Sequence, residues 1–136
     1  MAGPRRNGKC VKTKIDTQGA PKAAGPYSQA IIEGNMVFTS GQVYLTKEGK
    51  LLEGSIEEQT HQVMRNLKAI LESAGVGFKD VVKTTAYVTD MSLYGKINET
   101  YGSYFSDPFP ARELVCVKEL PLGARLEISM VAIKPK

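Results

Sequence analysis

Hydrophobic positions recur along this chain with two different periods, and each change of period marks the edge of an element. Residues 12–15 read as a short strand, after which Pro21 and Pro26, lacking backbone donors, make residues 19–29 irregular. Strands are predicted over 30–33 and 36–42, joined by Gly34 and Asn35 as a two-residue hairpin turn, because both residue types tolerate positive φ. A polar, glycine-punctuated loop covers 46–54. Ser55 and Glu58 then have the spacing of a capping box, and Ile56, Val63, Leu67, Ile70, Leu71 and Ala74 follow at helical intervals until Gly75. A β-branched run predicts a strand over 81–89. Asp90 is placed to cap a second helix whose apolar positions are Leu93, Ile97, Tyr101, Tyr104 and Phe105, with Pro108 and Pro110 as its end. Two more strands, over 112–119 and 125–133, flank a turn at 120–123.

This order predicts an α+β fold: a mainly antiparallel sheet of about six strands with two helices on one face. Along the last strand Leu126, Ile128, Met130 and Ala132 point to one side and Glu127, Ser129, Val131 and Ile133 to the other. Both sides carry apolar residues, yet two helices cover only one face, so a second subunit is expected on the other. Neither an internal repeat nor a long Pro/Gly/Ser linker divides the chain. Residues 15–136 are read as one domain and residues 1–14 as a basic N-terminal extension.

Composition fits that picture and narrows the function. With 136 residues, 42% of them hydrophobic and 24% charged, the chain is long enough to bury a core without disulfides or metals. Its net charge of +4 belongs to the extension: Arg5, Arg6, Lys9, Lys12 and Lys14 have no acidic neighbour, which leaves 13 bases against 14 acids, or −1, for the rest. The extension is read as a solvated tail in preference to a phosphate-binding arm. No apolar run approaches the roughly 20 residues that span a bilayer, and no secretory signal opens the sequence, so no membrane partner and a cytoplasmic location are expected. Arg5 and Arg6 keep a mitochondrial presequence as the alternative, against which Gly3, Pro4 and Gly8 count as helix breakers.

Cys10 and Cys116 lie far apart with no metal-binding spacing, and Cys116, between Val115 and Val117, reads as a small buried hydrophobe. The single histidine, His61, falls within the first helix, away from any nucleophile or carboxylate cluster, and reads as structural. No metal, nucleotide or calcium motif occurs, so no cofactor is expected. Three segments are less ordinary. Gly25-Pro26 fixes the backbone before Tyr27, and Gly41, following Thr39 and Ser40, lets a ligand approach a strand end with a free N–H. Arg112 enters an apolar strand, and Glu127 sits between Leu126 and Ile128. Residue pattern alone leaves two readings of the last pair, a strand-to-strand ion pair or part of a site.

In order, the segments GPYSQ (25–29), GN-x-VFTSGQ (34–42), VVKTTAYVTD (81–90), IN-x-TY (97–101), FPAR (109–112) and LP-x-GA-x-LEI (120–128) resemble the RidA family of reactive-intermediate imine deaminases, also called the L-PSP endoribonuclease or heat-responsive protein family. The resemblance spans about residues 17–134. It implies a chorismate mutase-like fold and a homotrimer with active sites between subunits. The implied reaction is hydrolysis of 2-imino acids or their enamine tautomers, such as 2-iminobutanoate and 2-iminopropanoate, to 2-oxo acids and ammonia, without a cofactor.

By the same resemblance Arg112 holds the substrate carboxylate through two parallel N–H bonds, Glu127 orients or activates the attacking water, and Tyr27 contributes to the cleft. Ser40 and Asn98 match polar cleft residues, and the backbone at Gly41 is a further donor. Two departures stand out: Leu114 and Ser129 occupy positions where many members carry cysteine and a second glutamate. Glu113 is expected to point away from the cleft, opposite Arg112. The competing classes are an endoribonuclease or translation inhibitor acting on RNA, and a non-catalytic ligand-binding or chaperone trimer. RNA is the disfavoured partner, since the charge outside the extension gives no broad basic surface.

Overall fold

A computed structural model describes residues 5–6, 9–10 and 12–136. Arg5–Arg6 (β1) pairs antiparallel with Lys9–Cys10 (β2). The side chains of the extension before Lys12, Cys10 included, lie outside the described residues, and with them the choice between solvated tail and phosphate-binding arm. The main sheet contains Thr13–Ile15 (β3), Ala30–Glu33 (β4), Met36–Thr39 (β5), Val81–Val88 (β6), Ala111–Cys116 (β7) and Leu126–Ile133 (β8), in the order β3-β4-β5-β8-β6-β7. Neighbours are antiparallel except β6 and β7, which run parallel because the chain crosses over between them through the helix Tyr94–Gly102 (α2).

The longer helix, Ile56–Ser73 (α1), starts where the capping box places it: the Glu58 N–H donates to Ser55 Oγ at 3.1 Å, and the Ser55 N–H donates to Glu58 Oε1 at 3.0 Å. Its buried stripe of Val63, Met64, Leu67, Ile70 and Leu71 packs on the sheet face formed by Val37, Ala86, Val88, Leu126, Ile128, Met130 and Ala132. Both helices lie on this face. In the β4–β5 hairpin only Gly34 takes a positive φ, 63°. No helix among the described residues is long and apolar enough to cross a membrane.

Several boundaries differ from the sequence reading. β5 ends at Thr39, three residues early: pairing resumes only at Gln42, which exchanges hydrogen bonds with Ile128 at 2.8 and 3.1 Å. Between Phe38 and Gln42, three residues face two on β8, Ser129 and Met130, and the Thr39 hydroxyl closes the gap by accepting the Met130 N–H at 2.9 Å. The second helix ends at Gly102, well before Pro108, so Tyr104 and Phe105 lie beyond it and pack edge-on against Phe78. β7 stops at Cys116, which is exposed on the outermost strand and is not the buried residue its apolar neighbours implied.

The second sheet face is open in the single chain. It presents Phe38, Val115, Val131 and Ile133, with an ion pair between Lys83 Nζ and Glu113 Oε1 at 2.9 Å among them.

Candidate active site

Arg112 is the second residue of β7 and pairs with Thr84, which turns its side chain to the helix side of the sheet. Its Nη1 donates to Asn98 Oδ1 at 2.6 Å, and its Nη2 lies 3.4 Å from the Tyr94 hydroxyl. The guanidinium carbon is 5.0 Å from the centre of the Tyr101 ring and 5.8 Å from that of Tyr94. Tyr94, Asn98 and Tyr101 recur on one face of α2, so a single helix supplies all of these contacts. The buried Tyr101 hydroxyl shares a 2.8 Å hydrogen bond with Thr84 Oγ1, which locks its ring in place. A guanidinium has five N–H groups, and two of them are engaged here, so the remainder are available to an anion. Leu114, two residues further along the same face, is partly buried against the core.

Glu127 lies on β8, paired with Tyr87, and points to the opposite, open face. Partial burial pushes its carboxyl above the ordinary value. The carboxylate packs over Gly41, where a Cβ would sit 2.7 Å from Glu127 Cδ, so no larger residue fits without moving it. The extra residue in the strand at 39–41 brings this backbone close. Beside it is a cavity of about 260 Å³, lined by Tyr27, Gly41, Val43, Leu45, Leu122 and Glu127 among others.

The segment carrying Tyr27 is pinned from beneath. Gln29 is buried and accepts the Thr17 N–H at 2.7 Å, while its amide donates to the carbonyls of Thr17 at 3.0 Å and Pro21 at 2.9 Å. The Ser40 hydroxyl donates to the Ser28 carbonyl at 2.6 Å, which ties the end of β5 to the same segment and leaves only its lone pairs for a ligand. Tyr27 itself is 53% exposed, its hydroxyl accepting the Ala24 N–H at 3.2 Å.

The candidate residues therefore form two groups. Arg112 and Leu114 lie on the helix side of β7, with Asn98 of α2 bonded to the arginine, whereas Glu127, Gly41 and Tyr27 line the cavity; Ser40, tied to the Ser28 carbonyl, is not among its lining residues. Glu127 aligns through Tyr87 with Val115, three residues along β7 from Arg112. At about 4.8 Å per strand and about 3.3 Å per residue the two Cα atoms are roughly 14 Å apart, with side chains on opposite faces. Arg112 and Glu127 thus make no ion pair. Glu113 does lie opposite Arg112, but on the same face as Glu127, and Lys83 beside it holds its carboxyl below the usual value.

Sequence reasoning missed Tyr94 and Gln29; the i, i+4, i+7 recurrence of Tyr94, Asn98 and Tyr101 was the signal for the first. His61 is hydrogen-bonded through Nδ1 to the Tyr104 hydroxyl at 2.7 Å, away from both groups. A larger hollow, about 440 Å³ beside Phe78, Tyr104 and Phe105, contains none of the candidates. Among the described residues no three His, Cys, Asp or Glu side chains gather as a metal site requires.

Comparison with known proteins connects this geometry to a family. The family model described as Endoribonuclease L-PSP matches residues 17–134. A RutC family protein of Pyrococcus horikoshii is 46% identical over 125 residues, covering 91% of this chain and 99% of that one. The protein named 2-iminobutanoate/2-iminopropanoate deaminase from Mus musculus is 42% identical over 125 residues, 91% of this chain and 93% of its own. Among solved structures, RidA from an Antarctic Psychrobacter superposes with a TM-score of 0.85 at 42% identity, covering 89% of this chain and 98% of that one.

Proposed function

The chain belongs to the Endoribonuclease L-PSP family, to which the RidA proteins belong, and from that premise we propose that it hydrolyses 2-imino acids to 2-oxo acids and ammonia. The sites lie where the Arg112 group of one copy meets the Glu127 group of another, within a homotrimer whose contacts cover the open sheet face.

The observation that carries this reading is an arginine held in place by Asn98, Tyr94 and Tyr101 with N–H groups free for a carboxylate. With the carboxylate fixed there, the imine carbon faces the cavity at Glu127. Water adds to the carbon of the protonated imine as Glu127 takes one of its protons, and the C=N π pair moves to nitrogen, leaving a neutral amino group. Glu127 returns that proton to the nitrogen, the C–N bond breaks to release ammonia, and the hydroxyl proton of the adduct passes to Glu127 as the carbonyl forms. A carboxyl whose proton affinity is raised by burial suits this two-way traffic. Tyr27, its oxygen already accepting from Ala24, has its O–H free to hold the water or the developing carbonyl.

The test follows 2-oxo acid release from freshly generated 2-iminobutanoate and 2-iminopropanoate, with and without the protein. Acceleration by the native chain and its loss in Arg112→Lys, where a point charge replaces a planar fork, support the reading. Release no faster than the spontaneous rate overturns it. The −1 charge outside the extension favours this substrate over RNA.

A further inference from the structure

We propose that the Tyr94 hydroxyl is a second donor to the substrate carboxylate, acting beside the Arg112 guanidinium; the inference rests on the imine-hydrolysis reading and adds to it a binding residue. Four tyrosines lie near the two groups; Tyr87 is the cross-strand partner of Glu127 on the open face, and the hydroxyls of the other three are differently engaged. That of Tyr101 is buried and bonded to Thr84 Oγ1, so only its ring reaches the arginine. That of Tyr27 belongs to the Glu127 cavity. The hydroxyl of Tyr94 lies 3.4 Å from Arg112 Nη2, on a side chain 39% exposed, at the mouth of the Arg112 group.

The directions of the hydrogen bonds decide what this hydroxyl offers. Guanidinium N–H groups only donate, so toward Arg112 the phenol oxygen accepts, and its own O–H is left to point elsewhere. An anion that docks on the free N–H groups of Arg112 meets that O–H at the adjacent corner. Two N–H donors and one O–H then converge on a carboxylate, which has lone pairs for all three. The neighbouring Asn98 amide and, after it, the charge of Arg112 hold the phenol below its ordinary value. A phenol made more acidic is a stronger donor while protonated. Once ionised it repels the carboxylate it had bound, so binding through Tyr94 weakens on the alkaline side.

Tyr94→Phe keeps the ring, its packing and its face toward Arg112, and removes only the hydroxyl. The expected result is a rise of about tenfold in KM for 2-iminobutanoate with kcat changed less than twofold, the pattern of a group that binds substrate and transition state alike. The alkaline fall in kcat/KM should shift upward in pH or vanish in this variant. Binding of 2-oxobutanoate, measured by calorimetry in the native protein, Tyr94→Phe and Arg112→Lys, gives a second readout independent of turnover, with a Kd also about tenfold weaker in Tyr94→Phe. If Arg112→Lys loses binding and Tyr94→Phe matches the native Kd, KM and pH profile, the role of Tyr94 is overturned and the imine-hydrolysis reading stands. If the native chain binds 2-oxobutanoate without hydrolysing imines, the reaction is wrong, and the Kd comparison alone decides for or against Tyr94. A native chain that binds no 2-oxobutanoate and hydrolyses no imine overturns both.

Discussion

At Glu127 stability and proposed function pull in opposite directions, because the surroundings that raise its proton affinity penalise its charge. Its folded value lies above the unfolded one, so the stability it contributes is fully present below the unfolded value and is lost as pH rises through the folded value. Glu127→Gln, neutral throughout, should therefore unfold at the same or a higher temperature than the native protein at pH 7, while imine hydrolysis falls by roughly 100-fold or more. Thermal unfolding followed by circular dichroism and a 2-oxo acid assay check the two halves. Gly41→Ala separates the same quantities differently: its Cβ displaces the Glu127 carboxylate, a flexible group, so stability should fall by less than about 1 kcal/mol while activity drops at least roughly tenfold. A denaturant titration beside the assay reads both. Gly41, Tyr27, Arg112 and Glu127 were all legible as unusual residues in their local sequence. What the sequence did not show was that Arg112 and Glu127 leave opposite faces, since that follows from the pairing of β6 with both β7 and β8.

The elements whose signals are local match the sequence best. α1 begins at its capping box and ends before Gly75, and β8 alternates between faces as its residues predict. β5 ends early for a non-local reason: the gap after Thr39 is closed by Met130, 91 positions away. The irregular segment before β4 has order of its own, supplied by Gln29, whose side chain satisfies one backbone N–H and at least two carbonyls at its base. Gln29→Ala strands these groups and is expected to cost about 2–3 kcal/mol, measured as a lowered urea midpoint. Because Tyr27 rides on that segment, activity should fall further than the loss of folded protein accounts for. The ratio of activity to folded fraction tests this.

For the whole molecule, the split between the two groups permits a test that needs no structure. If each site takes Arg112 from one copy and Glu127 from the next, Arg112→Lys and Glu127→Gln are each inactive alone, yet a co-refolded equal mixture contains junctions with both groups intact. Random assembly makes about one junction in four competent, whatever the size of the ring, so about a quarter of native activity should return. No recovery in mixed assemblies would place the whole site within one chain. Sedimentation should show a trimer, with the apolar face around Phe38, Val131 and Ile133 withdrawn from solvent. The open face was legible from the alternation along β8, whereas the Lys83–Glu113 pair within it was not, because it joins strands brought side by side by a crossover. The placement of the two groups on opposite sides of a single sheet also bears on quantity. In the proposed assembly a newly made chain folds but stays idle until it meets its own kind. At low expression, output then climbs more steeply than the number of chains, giving the protein a threshold set by mass action, with no regulator involved.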